Sequence, residues 1–331
     1  HKLVITLSNL FTAPLATGID FNWRDITPVQ MLALDQFVLW VSAGSPHKTA
    51  KDLVGALRSA PPGTFKLGGT GSKQEDQLIG VLLETAAATR ITYVPLKGGG
   101  DVARALAAGE VDMTVNNPIE AEALWRQGKL RPLCVFDGQR LAYPGKLADG
   151  QGWADLPTCM SVGIPAQYLM LRGIFTTPGA TPEQVAFYSG LLDKLRATSE
   201  WKDFMVRGAF KQTAMTGPGF VDWLDKEARY HNVMMREARL KAGPATAAPP
   251  APATAPYPRG GRSAAAAPGP APSPAGTCRG LKSKTVRTAI IAISGPNYLP
   301  LTRARPWPPA APSSIGSGLF NASQLMHSTN F

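Results

Sequence analysis

Residues 1–243 alternate between two hydrophobic patterns. Short, nearly continuous apolar runs, such as those at residues 36–41 and 168–175, are typical of buried strands. Other segments repeat apolar residues at every third or fourth position, which indicates an amphipathic helix. One such helix is marked by Ala50, Leu53, Val54 and Leu57. Repeated alternation of the two patterns predicts an α/β fold.

The two apolar strands divide the predicted fold into two α/β lobes, with the chain crossing between them near residues 36–43 and again near residues 168–176. We expect lobe 1 to comprise residues 1–42 and 172–243, and lobe 2 to comprise residues 43–171. Two crossings make a hinge, so a ligand held in the cleft by one lobe would be closed over by the other.

A glycine turn lies at residues 66–76, where a predicted strand runs into a predicted helix. Ser72 and Glu75 have the S-x-x-E spacing of a capping box, which would start the helix at Ser72. Backbone amides at such a helix N-terminus, together with the helix dipole, favour a carboxylate or a phosphate. The candidate ligand contacts are Gly69, Thr70, Gly71 and Ser72. Taken alone, a glycine turn of this kind also occurs as a plain connection.

The same pattern, a predicted strand that runs through a turn into a predicted helix, recurs at residues 92–102 and 111–120. In the last of these turns Asn117 is the predicted N-cap, Pro118 the first helical residue and Glu120 the closing residue of a capping box. Three such turns imply a parallel sheet, and ligands of parallel sheets bind outside the carboxyl ends of the strands, where the turns lie.

Nucleotide-binding motifs do not fit the first turn. A P-loop would need a different spacing before Lys73 and a hydroxyl residue after it, and a dinucleotide fingerprint would need glycine where Gln74 stands. In the second turn Lys97 is either a cation that pairs with an acidic ligand or a solvated lysine.

Basic charge and proline are concentrated at the C-terminal end. The chain of 331 residues carries a formal charge of +11, but residues 244–331 hold eight Lys or Arg and no Asp or Glu, which leaves +3 for residues 1–243. The same segment holds 16 of the 30 prolines. We expect this Pro/Ala-rich basic tail to be disordered, or to derive from a GC-rich reading frame translated out of register. Its charge is therefore poor evidence that the folded part binds nucleic acid.

Cysteine and histidine indicate no metal centre and no cofactor. Cys134, Cys159 and Cys278 are odd in number and lack C-x-x-C spacing, so they predict neither a disulfide framework nor a thiolate site. We expect Cys134 to be a buried strand residue. The four histidines form no H-x-x-x-H pair.

The chain contains no apolar run long enough to span a bilayer. It begins with His1 followed by a strand-like run, so we expect any targeting signal to lie upstream.

Several short motifs, in this order and spacing, resemble the substrate-binding proteins of the tripartite tricarboxylate transporters, also called the Bug family of extracytoplasmic receptors. The resemblance covers about three quarters of the chain, from Leu3 to about Gly243, and none of the tail. The motifs are DITPV at residues 25–29, GTGS at 69–72, YVPLKGG at 93–99, GEVD at 109–112, GKLRPL at 128–133, LPT at 156–158 and PGATP at 178–182.

The resemblance implies a two-lobed type II periplasmic-binding fold. Such a receptor captures a small organic acid and delivers it to membrane permease subunits without chemistry of its own. It also implies a periplasmic location, and we expect a monomer. The residues implied to line the ligand are Gly69, Thr70, Gly71, Ser72, Lys97, Gly98, Gly99, Asn116 and Asn117, with Ser8 and Asn9 on the opposite wall.

The family's first βα unit, whose glycine-rich turn contacts the ligand from the other lobe, would precede His1. We therefore expect lobe 1 to be incomplete in this chain.

Two other functions stay open on the residues alone. An α/β enzyme acting on a phosphorylated or carboxylated small molecule would need an acid/base pair in the cleft. The carboxylates near the turns, Glu75, Asp76, Asp101 and Glu120, all stand at predicted helix N-termini, where capping and the helix dipole explain them. A nucleic-acid binder would depend on the basic tail and would lose affinity steeply with salt.

Overall fold

The computed structural model describes residues 2–242 of the chain, and the predictions for the tail lie outside these residues. The strands are Leu3–Thr6 (β1), Thr27–Gln36 (β2), Val38–Ser42 (β3), Lys66–Thr70 (β4), Thr92–Leu96 (β5), Met113–Thr114 (β6), Leu130–Val135 (β7), Lys146–Ala148 (β8), Gln151–Gly152 (β9) and Leu169–Thr176 (β10). The helices are Asn9–Thr17 (α1), Ala50–Ser59 (α2), Glu75–Ala87 (α3), Gly99–Ala108 (α4), Pro118–Arg126 (α5), Pro182–Ala197 (α6), Ser199–Arg207 (α7) and Gly217–Glu237 (α8). No helix in the described part of the chain is long and apolar enough to cross a membrane.

Two main sheets organise this mixed α/β structure, as the alternation of patterns predicts. The first has the order β1-β10-β2, and all of its strands are antiparallel. The second has the order β5-β4-β6-β3-β7. A short hairpin of β8 and β9 lies apart from both.

The prediction of a parallel second sheet is correct for β4, β5 and β6 but wrong for β3. Strand β4 pairs in parallel with β5 and β6, whereas β3 runs antiparallel to both β6 and β7. The reason is that β3 enters directly from the first sheet, with only Phe37 between it and β2. Val38, at its start, donates to the carbonyl of Asn116, which follows the carboxyl end of β6 (3.1 Å). Strand β3 therefore begins at the sheet edge where its neighbours end.

The chain passes between the two sheets in segments that hydrogen-bond to one another. Phe136 donates to the carbonyl of Phe37 (2.9 Å), and Tyr168 donates to the carbonyl of Phe136 (3.0 Å). The Tyr168 hydroxyl lies 2.8 Å from Nε2 of His231, a fully buried residue of α8. These bonds hold the connections between the sheets against the last helix.

Each sheet is covered by apolar clusters on two sides. In the second sheet, the predicted helix residues Ala50, Leu53, Val54 and Leu57 are all buried against one face. Trp40 lies in the other cluster with Trp125 and Trp153, its ring centroid 6.1 and 5.9 Å from theirs. These buried side chains make the sheet edge a rigid platform for the turns that follow its strands.

Two of the three cysteines form a disulfide, contrary to the sequence prediction. Cys134 of β7 is bonded to Cys159, their Cα atoms are 5.0 Å apart, and both residues are fully buried. The prediction that Cys134 is a buried strand residue is confirmed. The odd count of three concealed the pair, because the two cysteines are 25 positions apart in the sequence and only the fold brings them together.

Candidate functional site

The first glycine turn does not contain the predicted capping box. Helix α3 begins at Glu75, its N-cap is Gln74, and no side chain caps it. Ser72 is exposed and stands outside the helix. The cause is local backbone geometry, since Gly71 and Lys73 adopt left-handed conformations with φ of 59° and 60° and delay the start of the helix.

Most of the backbone N–H groups in this turn donate to acceptors within the protein. Thr70 donates to Oδ2 of Asp76 (2.6 Å), Gly71 to the carbonyl of Leu96 (2.8 Å) and Lys73 to Oε1 of Gln77 (2.7 Å). The carboxylate of Asp76 thus occupies part of the position in which an anionic ligand was expected.

Gly69 serves close packing in the same turn. A Cβ atom at this position would lie 2.5 Å from the Tyr93 hydroxyl oxygen and 2.6 Å from Cβ of Asp76. The Tyr93 hydroxyl donates to the carbonyl of Gly71 (2.9 Å). Gly69 is therefore required for the turn to fold, whether or not it contacts a ligand.

In the second glycine turn, three backbone N–H groups have no acceptor among the described residues. Helix α4 begins at Gly99 with Gly98 as N-cap, and the amides of Asp101 and Val102 bond to the Gly98 carbonyl (2.9 and 3.0 Å). Within residues 2–242, the amides of Gly98, Gly99 and Gly100 have no hydrogen-bond partner. We call these three N–H groups the glycine amide site.

Lys97 directly precedes the glycine amide site. Its side chain is exposed and makes no ion pair with any described residue. Unpaired amides at a helix N-terminus, with a cation beside them, are suited to an anion.

Gly99 also accommodates a carboxylate of the protein. A Cβ atom at Gly99 would lie 2.0 Å from Cδ of Glu120, whereas a Cβ atom at Gly98 would meet nothing within 4 Å. Gly98 has φ of −172°, extended backbone that any residue adopts. The two neighbouring glycines therefore form a matched pair for mutagenesis.

We expect Gly99→Ala to displace Glu120, because its new methyl group overlaps that carboxylate, and to lower the melting temperature by several degrees. Gly98→Ala should change the melting temperature little. Thermal unfolding followed by circular dichroism compares the two variants, and equal melting temperatures would contradict the packing argument.

The third turn has the predicted cap. Asn117 precedes Pro118 at the start of α5, and Glu120 Oε2 accepts from the Asn117 amide (3.0 Å). The two asparagine side chains connect separate elements. Nδ2 of Asn117 donates to the carbonyl of Gln36 (2.9 Å), and Nδ2 of Asn116 donates to the carbonyl of Gly99 (2.8 Å) and to Glu120 Oε2 (3.0 Å).

Ser8 and Asn9, the candidates for the opposite wall, lie at the start of α1. Ser8 is fully buried, and its Oγ accepts from the amide of Leu171 (3.0 Å). Asn9 is partly buried. The Ser8 hydroxyl is thus already engaged in holding α1 to β10.

Sequence reasoning placed Glu75, Asp76 and Glu120 at separate helix N-termini and missed that the fold brings them together with Asp35. The four carboxylates come from β2, α3 and α5, and we call them the carboxylate cluster. Its members are Asp35, Glu75, Asp76 and Glu120. The arginine that pairs with Asp35 is Arg172 of β10, which belongs to an apolar run that predicts only a strand.

Burial dominates the electrostatics of the carboxylate cluster. It raises the pKa of Glu75 to about 7 and raises the pKa values of Asp35, Asp76 and Glu120 above their usual range. The positive charge of Arg172 acts in the opposite direction on Glu75, Asp35 and Glu120. Arg172 donates from Nε to Oδ2 of Asp35 (3.1 Å). Arg172 is thus electrostatically coupled to Asp35 of the first sheet and to Glu75 and Glu120, which lie at the starts of helices that follow strands of the second sheet.

Neither metal binding nor catalysis is indicated by this arrangement. No group of three or more His, Cys, Asp or Glu in the described part of the chain has the geometry to hold a metal ion. What the turns offer is a set of fixed hydrogen-bonding groups at the sheet edge, which is the property of a binding site.

Two sheets joined by connecting segments, with hydrogen-bonding turns along one sheet edge, are the arrangement found in solute-binding proteins. The chain belongs to the tripartite tricarboxylate transporter receptor family, TctC, whose family model matches residues 2–201. The predicted family is therefore confirmed, and the protein is a solute-binding protein rather than an enzyme.

Similar solved structures have the same fold. A Rhodopseudomonas palustris protein, Rpa4515, solved with adipate, is 19% identical over 72% of this chain and 77% of that one, with a TM-score of 0.62. The periplasmic binding protein BugD is 15% identical over 72% and 78%, with a TM-score of 0.62. MatC from Rhodopseudomonas palustris, solved with malate, is 18% identical over 70% and 78%, with a TM-score of 0.58.

These similarities confirm the predicted type II periplasmic-binding fold. Comparison with curated protein sequences gives no significant match.

Proposed function

We propose that this protein captures a small organic acid, a di- or tricarboxylate or a similar molecule, in the periplasm. It then delivers the acid to the permease subunits of a tripartite tricarboxylate-type transporter. The observation that carries the proposal is the glycine amide site, where three consecutive N–H groups at a helix N-terminus have no partner among the described residues. A ligand carboxylate would accept from these amides, with Lys97 beside it.

The other predicted contacts remain part of this proposal, and their proposed roles differ. Gly69, Thr70, Gly71 and Ser72 form the neighbouring wall, and Asn116 and Asn117 fix the position of α4 and α5. Ser8 and Asn9 are the proposed contacts across the cleft. The lobe boundaries at residues 42/43 and 171/172 also remain predictions.

Two further observations support the proposal. Similar folds have been solved with adipate and with malate, both of which are dicarboxylates. A disulfide between Cys134 and Cys159 is in keeping with an oxidising compartment such as the periplasm.

Energetics set the scale of the expected affinity. Hydrogen bonds to a charged group contribute roughly 1.5–3 kcal/mol each, so three amides contribute about 4.5–9 kcal/mol. Micromolar binding needs about 8 kcal/mol after ordering costs. The glycine amide site alone therefore reaches micromolar affinity only at the upper end of this range, and contacts from lobe 1 are needed as well.

Calorimetric titration tests the proposal on the full-length protein, by which we mean this chain with any residues encoded upstream of His1. We expect micromolar binding of at least one of adipate, malate, citrate or aspartate. Gly99→Ala should weaken that binding at least about tenfold, because its methyl group overlaps Glu120 and shifts the start of α4, while Gly98→Ala, whose methyl group meets nothing within 4 Å, should bind nearly as well.

Binding of none of a broad panel of organic acids would overturn the proposal, and so would turnover of a bound acid. Delivery to a permease is tested separately. Cells lacking the receptor gene should lose uptake of the acid that binds, and unchanged uptake would contradict the transport role.

A further inference from the structure

The segment between α7 and α8, residues 208–216, is attached to the first sheet through its backbone. The amide of Lys211 donates to the carbonyl of Leu34 (3.0 Å), and the amide of Leu34 donates to the carbonyl of Lys211 (3.2 Å). The amide of Met31 donates to the carbonyl of Met215 (2.9 Å). Leu34 and Met31 belong to β2, so this segment, which we call the α7–α8 segment, is held to lobe 1.

The α7–α8 segment also contacts lobe 2. Ala209 is fully buried in the apolar cluster of the second sheet that contains Trp40. Tyr143, which packs against the same cluster, donates from its hydroxyl to the carbonyl of Phe210. The side chain of Phe210 lies instead in a cluster of the first sheet, together with Ile174. One short stretch of chain is therefore packed against both lobes.

A buried carboxylate of lobe 2 accepts hydrogen bonds from the α7–α8 segment and from two of the connections between the sheets. Asp137 is 1% exposed, and its Oδ2 accepts from Nζ of Lys211 (2.6 Å). Nε2 of Gln36, at the end of β2, donates to the same oxygen (2.7 Å). Nε2 of Gln167, which precedes the return to the first sheet, donates to Oδ1 (3.4 Å). Asp137 therefore joins these three segments at one point.

Among residues 2–242, the ion pair of Lys211 and Asp137 is the only one that joins the two predicted lobes, since every other pair lies within a single lobe. The side chain of Asp137 is 2% exposed and that of Lys211 is 30% exposed. An unpaired buried charge is strongly unfavourable, so an arrangement of the lobes that brings Nζ to Oδ2 is favoured over one that separates them.

This ion pair stands away from the proposed binding edge. Asp137 follows β7 and the glycine amide site follows β5, and these are the two edge strands of the five-stranded sheet. Four strand spacings separate them, which is on the order of 19 Å. An effect of the pair on a molecule at the glycine amide site therefore acts through the position of the lobes and not through contact.

We propose that Asp137 and Lys211 form a latch that holds the two lobes in the orientation of this structure and so positions both walls of the cleft. The inference rests on the proposed receptor function and makes the two residues positioning residues for binding. When the binding-competent arrangement is only partly populated, the apparent affinity falls by that fraction. Loss of the latch should therefore weaken binding without removing any contact to the bound molecule.

Double electron–electron resonance tests the latch on the full-length protein without any ligand. Spin labels at Lys51→Cys on α2 and Lys202→Cys on α7, both exposed, report the separation of the lobes, and Cys278→Ser removes the third cysteine of the chain. We expect a narrow distance distribution for the labelled parent protein and a broader, displaced one after Lys211→Met. An unchanged distribution would overturn the inference.

Matched variants separate the latch from folding. Asp137→Asn combined with Lys211→Met leaves no unpaired charge, so this double variant is expected to fold and to give the same broad distribution. Lys211→Arg keeps the cation and should retain the narrow distribution. Lys146→Met, which breaks the exposed pair with Asp155 within lobe 2, should retain it as well. A narrow distribution in the folded double variant would contradict the latch.

Calorimetry with adipate, malate, citrate and aspartate measures the effect on binding. For any acid that the wild-type protein binds, we expect the double variant to bind at least about fivefold more weakly and Lys146→Met to bind within about twofold of wild type. Equal affinity in the double variant would overturn the positioning role. If the wild-type protein binds none of the acids, the receptor function fails, while the distance distributions still decide whether the latch exists.

Discussion

Replacing Cys134 and Cys159 together with alanine is expected to lower the free energy of unfolding by about 3.5 kcal/mol. That figure follows from the loop entropy of a bridge between residues 25 positions apart in the sequence. The bridge ties β7 to the irregular segment that leads back to the first sheet, and both cysteines are buried in the core cluster of the second sheet. Urea denaturation of the wild-type and double-variant proteins measures the difference.

Reduction provides the matched control for the disulfide. Dithiothreitol should lower the stability of the wild-type protein to nearly that of the double variant and should leave the double variant unchanged. If the wild-type protein is equally stable with and without reductant, the bridge contributes nothing to folding. A large effect of reductant on the double variant would place the sensitivity elsewhere in the chain.

Local rules predicted those elements whose signals lie within one turn of the chain. The spacing of Ala50 to Leu57 predicts α2, and all four marked residues are buried in the structure. Asn117, Pro118 and Glu120 predict the start of α5 at the observed residue. Both signals depend only on neighbouring residues, so the sequence is sufficient to reveal them.

Tertiary contacts explain the predictions that failed. Ser72 and Glu75 have the spacing of a capping box, but Gly71 and Lys73 adopt left-handed conformations that delay the helix. In addition, the carboxylate of Asp76 accepts a hydrogen bond from the amide of Thr70. The direction of β3 depends on where the chain enters the second sheet, which no periodicity encodes. The family resemblance, by contrast, was specific because it rested on the order of many short motifs.

The carboxylate cluster could not be seen in the sequence for a different reason. Asp35, Glu75, Glu120 and Arg172 are far apart along the chain, and each has an ordinary local explanation as a strand or helix-terminal residue. Only the packing of one sheet against the turns of the other brings their charges together. Specificity in a two-lobed receptor depends on such contacts, so composition and motifs indicate the class of ligand better than its identity.

Arg172→Met is expected to lower the free energy of unfolding at neutral pH by about 3–5 kcal/mol, because it leaves a buried carboxylate without its partner. The side chain of Asp35 is fully buried and that of Arg172 is 14% exposed. Arg172 also lies 5.4 Å from the ring centroid of Phe210, and methionine would retain part of that packing. Denaturant titrations between pH 5 and pH 8 measure the loss.

The pH dependence of that loss has a definite sign. Burial already raises the pKa of Asp35, and removing Arg172 removes the main group that opposes this rise. A carboxyl with a raised folded-state pKa stabilises the protein at low pH and loses that contribution as the pH rises through its folded pKa. The deficit of Arg172→Met should therefore be smaller at pH 5 than at pH 8.

A second variant distinguishes a lost ion pair from simple loss of packing. Asp35→Leu combined with Arg172→Met replaces both charges by apolar groups and should recover most of the stability, since no buried charge is left unpaired. Arg126→Met, which breaks the more exposed pair with Glu122, should cost less than about 1 kcal/mol. A double variant as unstable as Arg172→Met would show that packing, and not the unpaired Asp35 charge, accounts for the loss.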